Sequence, residues 1–196
     1  MSKTNDGLTT KLKIAKIAEE LFSQKGYAAT SMEDITTASG SSKGSIYYHF
    51  KSKEKLFMFI VETAANEWKE EWAKIEVNCK TNTEKLYAIS EHYVKDFQNP
   101  IFSAMEEYGN SQVVNEEATA ELLNIIRNQY FETYENILKD GIAAGEFIDE
   151  NPRELMYMLF ALHNGLGVAY YEMDFDDLKE LYRKSTDFLL RGLAKR

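Results

Sequence analysis

Apolar residues along this chain recur every three to four positions, and that period does most to narrow the folds open to it. Ile14, Ile17, Ala18, Leu21 and Phe22 sit at i, i+3, i+4, i+7 and i+8, one buried stripe of an amphipathic helix. Leu56, Phe57, Ile60, Ala64, Trp68, Trp72 and Ile75 repeat the pattern from Ser52 to about Val77. At 1.5 Å per residue that helix is about 35–40 Å long. Only 2 prolines interrupt 196 residues, and the pattern predicts an all-α fold of about nine helices. Hydrophobic residues (44%) and aromatics (13%) supply a core. No apolar run approaches the roughly 20 residues of a membrane span, and the start "MSKTNDGLTT" has no apolar signal stretch. A single cysteine, Cys79, excludes an intrachain disulfide framework. A soluble, cytoplasmic protein with no membrane partner is expected.

The first quarter of the chain carries the sharpest local signals. Gly26 follows Lys25 as a helix-ending glycine. "TSME" (30–33) has the form of a capping box, with Thr30 as N-cap and Glu33 reaching back, and opens a helix of about two turns. Ser39, Gly40 and Ser41 break it, and Ser42 caps a second short helix from Lys43 to about His49. Two short helices across a glycine turn, after a longer supporting helix, make a helix-turn-helix. Charge agrees: residues 1–53 carry +3 and the remainder −12, within a total of −9, a basic head on an acidic body. The expected division is a DNA-binding domain at 1–53 and a ligand-binding and dimerisation domain at 54–196.

In "SSKGSIYYHF" (41–50), Ile46 and Phe50 lie four apart and can face the supporting helices. Ser41, Ser42, Lys43, Gly44, Ser45, Tyr47, Tyr48 and His49 are then the candidate DNA contacts. A helix N-terminus attracts a phosphate, Gly44 admits close approach of the backbone, and the tyrosine hydroxyls reach sugar-phosphate oxygens. Lys53 is expected to add a phosphate contact.

Further helices are predicted at 83–97, 101–109, 117–143, 152–172 and 175–195, with Thr81 or Asn82 capping the first and Pro100 near the start of the second. Stripes on the last two (Met158, Leu162, Gly165, Leu166, Ala169; Leu178, Leu181, Tyr182, Ser185, Phe188, Leu189, Gly192) suit a two-fold helical interface. Catalysis finds no support. His49, His92 and His163 lack metal-ligand spacing, and no glycine-rich loop follows a strand. No cofactor is called for.

Residues 18–57, "AEELFSQKGYAATSMEDITTASGSSKGSIYYHFKSKEKLF", resemble the DNA-binding head of TetR-family one-component repressors. The resemblance implies an all-α homodimer on palindromic double-stranded operator DNA, released by a small lipophilic inducer. Residues 66–87 and 139–147, the "NG" at 164–165 and the ending "LLRGLAK" resemble the multidrug-sensing members of that family. By that resemblance Trp68 and Tyr130 match aromatic ligand contacts, Asn164 a polar one and Asp96 a pocket carboxylate. Where those members carry paired glutamates and a further pocket glutamate, this chain has Ala64, Ala65 and Arg127, which leaves a cationic or a neutral inducer open. The alternative is a constitutive DNA-binding protein whose body only dimerises.

Overall fold

The computed structural model describes residues 3–110 and 116–193. The helices are α1 (Lys3–Lys25), α2 (Met32–Ser39), α3 (Lys43–Phe50), α4 (Lys53–Glu76), α5 (Asn82–Lys95), α6 (Phe102–Gly109), α7 (Glu116–Ile126), α8 (Glu132–Ala143), α9 (Pro152–Leu166) and α10 (Phe175–Leu193). Tighter 3-10 turns extend α5 (Asp96–Gln98) and α9 (Gly167–Tyr171). A π-turn, Arg127–Phe131, joins α7 to α8 without a break, so the predicted helix at 117–143 is one rod with an irregular turn. Counted that way, the described residues form the nine helices that the periodicity predicts. Residues 194–195, predicted as the end of the last helix, lie outside the described residues.

The chain forms two compact units. The first takes the chain up to Ala65 together with Asn99–Leu122; the second takes Asn66–Gln98 and the chain from Leu123 onward. The first unit is built on the stripe of α1: Ile14, Ala18 and Phe22 are fully buried together with Ile35 of α2, Ile46 of α3, and Leu56 and Phe57 of α4. Phe22, Tyr27, Phe57 and Tyr108 interlock as an aromatic cluster with ring centroids 4.6–5.8 Å apart.

The capping box lies one residue later than the sequence suggests. Ser31 is the N-cap of α2, its Oγ accepting from the Asp34 N–H at 3.0 Å while the Asp34 carboxylate accepts from the Ser31 N–H at 2.9 Å. Thr30 is buried instead, and its hydroxyl donates to the Gly26 carbonyl at 2.8 Å. Ser31→Ala should cost about 1 kcal/mol of stability, read from urea unfolding, whereas Glu33→Ala should cost almost nothing.

The α1–α2 turn is held from both sides. Gly26 (φ +83°) takes the left-handed conformation, and a Cβ there would sit 2.3 Å from the Glu107 carboxylate. That carboxylate accepts from the N–H groups of Tyr27 (2.7 Å) and Ala28 (3.1 Å). Burial pushes the Tyr27 phenol up to about 12.

In the second unit α5 packs against α10 and α8 against α9. Leu86, Ile89, Tyr134, Leu138, Leu159, Leu178 and Tyr182 are completely buried there. Thr81 caps α5 and Asn151, followed by Pro152, caps α9. Gly141 lies against the Phe147 ring so closely that a Cβ would fall 2.1 Å from it.

Candidate functional site

The helix-turn-helix presents its polar residues outward because its apolar ones are used up inside. Gly40 (φ +63°) ends α2, the Ser41 N–H is held by the Ser39 hydroxyl at 3.2 Å, and Ser42 caps α3 by accepting from Ser45 N–H at 3.1 Å. With Ile46 and Phe50 buried, Ser42, Lys43, Gly44, Tyr47 and Tyr48 are exposed, Tyr48 at 81%, and Ser41, Ser45 and His49 are half-buried. The Lys43 ammonium lies 5.9 Å from the Tyr47 ring. A groove of about 430 Å3 separates α2 from α3, lined by Met32, Glu33, Thr36, Thr37, Lys43 and Tyr47. Thr36 and Thr37 do not stand out in the sequence, since their hydroxyls join this face only once α2 is laid beside α3.

Lys53 is placed differently from its neighbours. Its ammonium donates to the carbonyls of Tyr27 (2.8 Å) and Thr30 (2.9 Å), with that of Ala28 at 3.5 Å, and sits 4.2 Å from the centre of the Tyr27 ring. Burial lowers its pKa, offset in part by Glu107. Through these bonds the ammonium fastens the α1–α2 turn.

The second unit gathers three of the four sequence-predicted ligand residues. The Tyr130 hydroxyl donates to Asp96 at 2.7 Å, and the Trp68 and Tyr130 rings meet edge to face at 4.9 Å. Tyr93 adds its ring 5.2 Å from that of Tyr130. Burial lifts the Asp96 carboxyl to about 6, against the opposing hydrogen bond from Tyr130 and with help from the charge of Glu71. Asn164 is exposed on α9.

Its neighbour His163 occupies the interior instead. Its Nδ1 lies 2.8 Å from the Tyr134 hydroxyl and its Nε2 3.0 Å from Ser90 Oγ. The Ser90 hydroxyl also reaches the Leu86 carbonyl at 2.8 Å, which can only accept. With the Ser90 proton given to that carbonyl, Nε2 carries hydrogen toward Ser90 and Nδ1 accepts from Tyr134. Burial drops the His163 pKa to about 3, so the ring is neutral. His92, also buried, stacks beside Trp68 with ring centroids 4.5 Å apart. Neither histidine stands out in the sequence, because a lone imidazole on a helix has no spacing to announce it.

A three-helix head that exposes a short polar helix, in one chain with an aromatic-lined helical unit, defines a helix-turn-helix transcription regulator. Residues 14–58 match the profile of the bacterial regulatory proteins, tetR family, and residues 64–195 that of the QacR-like protein C-terminal region. The chain belongs to the TetR family: it is a DNA-binding transcriptional repressor and a homodimer. It is 34% identical over 193 residues to the HTH-type transcriptional regulator QacR of Staphylococcus aureus, covering 96% of this chain and 100% of that one. Among solved structures it is similar to a TetR/AcrR family regulator from Thermobifida fusca (28% identity, TM-score 0.69, 93% of this chain and 97% of that one). The fold is also that of Bacillus subtilis FadR in complex with stearoyl-CoA (20% identity, TM-score 0.79, 92% and 98%).

Proposed function

We propose that the protein represses transcription from a palindromic operator and is released by a small lipophilic aromatic molecule bound among Trp68, Tyr93, Asp96 and Tyr130. The observation that carries this reading is the Tyr130–Asp96 pair beside Trp68: a half-buried carboxyl and three aromatic rings form a site with polar handles. The controlled gene then encodes an efflux or detoxifying protein.

The DNA contacts come from Ser41, Ser42, Lys43, Gly44, Ser45, Tyr47, Tyr48, His49 and Lys53, two copies of each in the dimer. Met158 and Phe188, 60% and 70% exposed, belong to the surface on which the copies pair. Helix α4 is continuous from Lys53 to Glu76 and carries both Lys53 and Trp68. A ligand that displaces α4 at Trp68 therefore acts on the helix that follows α3, and shifts the two recognition helices off half-sites one DNA turn or a multiple of it apart.

Lys43→Ala should lower the slope of log K against log salt by about 0.9 per lost phosphate contact, roughly two for the dimer. Titrations at several salt concentrations measure it; an unchanged slope removes Lys43 from the phosphates. Tyr48→Phe should weaken operator binding with no change in melting temperature, since the side chain is exposed. A variant that melts earlier but binds normally assigns Tyr48 to packing instead.

A further inference from the structure

Two polar atoms beside the aromatic site are buried with no hydrogen-bond partner among the described residues: the indole Nε1 of Trp68 and the Nδ1 of His92. Trp68 is 4% exposed and His92 2% exposed, so neither ring has appreciable access to solvent. Their chemistry is fixed by the neighbouring bond. His92 Nε2 lies 2.9 Å from the Trp68 main-chain carbonyl, which can only accept, so Nε2 carries the hydrogen. Burial lowers the His92 pKa against the pull of that bond, and the ring is neutral. Nδ1 is then a bare lone pair, and Trp68 Nε1–H a donor with nothing to receive it. A buried polar group without a partner opposes folding until something satisfies it. One stack with centroids 4.5 Å apart thus holds a spare donor and a spare acceptor.

We infer that Trp68 and His92 form the polar end of the ligand site, and that it takes a neutral aromatic molecule whose hydroxyl or carboxamide both accepts from Trp68 and donates to His92. This rests on the ligand reading above and narrows it. A tetraalkyl or tetraaryl onium centre has no N–H or O–H to give His92 and no lone pair to receive the Trp68 N–H, so it can satisfy neither atom. A neutral group that donates and accepts at once satisfies both. The aromatic part of such a molecule meets Tyr130, whose ring already contacts Trp68.

The test compares 4-phenylphenol, 4-methoxybiphenyl and tetraphenylphosphonium by calorimetry on the full-length dimer. The phenol should bind about tenfold more tightly than its methyl ether, as expected for one hydrogen bond in a buried site. In His92→Leu that preference should vanish. As a check on the unaltered protein, the 15N resonance of His92 Nδ1 should move with the phenol and stay in place with the ether. Equal affinity for phenol and ether, a preference that survives in His92→Leu, or an Nδ1 signal indifferent to the phenol overturns the inference. So does a water bridging the two atoms that stays in place with the phenol bound. If tetraphenylphosphonium alone binds and releases operator DNA, this inference fails while the sensor reading stands; if no probe binds, both fail.

Discussion

His163→Leu should destabilise the protein by about 2–4 kcal/mol, among the largest single-residue effects expected outside the apolar core. The imidazole is fully buried and joins α9 to α8 through Tyr134 and to α5 through Ser90. Leucine fills similar space but leaves the Tyr134 hydroxyl, itself fully buried, with no acceptor, and removes a donor from Ser90. Each stranded group costs about 1–3 kcal/mol. Ser90 keeps Leu86 and Thr186 as partners, so most of the loss falls on Tyr134. The double variant His163→Leu/Tyr134→Phe should therefore recover a good part of it, because both ends of the broken bond are then apolar. Urea midpoints at constant slope give the comparison. Additive costs in the double variant would mean that the two residues are not coupled.

Asp96→Asn should stabilise the protein at pH 7 by as much as about 3 kcal/mol. Its carboxyl titrates at about 6 in the fold against an ordinary 3.8, because burial disfavours the charge. Each tenfold weakening of the acid corresponds to about 1.4 kcal/mol, and ionising it at neutral pH opposes folding by that measure. Asparagine cannot ionise and still offers Tyr130 an acceptor. The pH dependence follows from the signs. Asp96, whose pKa is raised, contributes stability that is complete below pH 3.8 and lost as the pH rises through about 6. His163, whose pKa is lowered from 6.5 to about 3, contributes stability that is complete above pH 6.5 and lost as the pH falls toward 3. Between about pH 4 and 6 the two oppose each other. The variant should therefore lose stability on acidification more steeply than the unaltered protein, with the two curves converging below pH 3.8. Parallel curves would place Asp96 in water rather than in the aromatic site.

The head was legible because its signals are local. Gly26, the Ser42 cap and the Ile46–Phe50 spacing each need only a few neighbouring residues. The capping box slipped by one because "TSMED" offers two pairs, Thr30 with Glu33 and Ser31 with Asp34. Only the fold, by turning Thr30 inward to the Gly26 carbonyl, chooses between them. Lys53 reads as a surface cation until the α1–α2 turn brings three carbonyls to it from more than twenty positions earlier.

In the second unit Trp68, Asp96 and Tyr130 do come together, but two local events decide what joins them. One is the π-turn, which interrupts the 3.6-residue period at Tyr130 and leaves no mark in the sequence. The other is the roughly 100° that separates successive helix positions. It buries His163 and exposes Asn164, and no pattern in "LHNG" distinguishes the two.

On the proposed function, a ligand in the aromatic site and DNA on α3 compete through one chain. The direct measurement is the affinity of 4-phenylphenol or tetraphenylphosphonium, whichever binds, followed by tryptophan quenching with and without saturating operator. The operator is a palindromic duplex selected from random-sequence DNA. Operator should weaken ligand binding by a factor corresponding to about 1–3 kcal/mol, and the ligand should weaken operator binding by the same factor, since the coupling is reciprocal. Trp68→Ala should abolish both effects while leaving operator binding in the absence of ligand intact. A ligand that binds with the same affinity on and off the DNA would contradict the account.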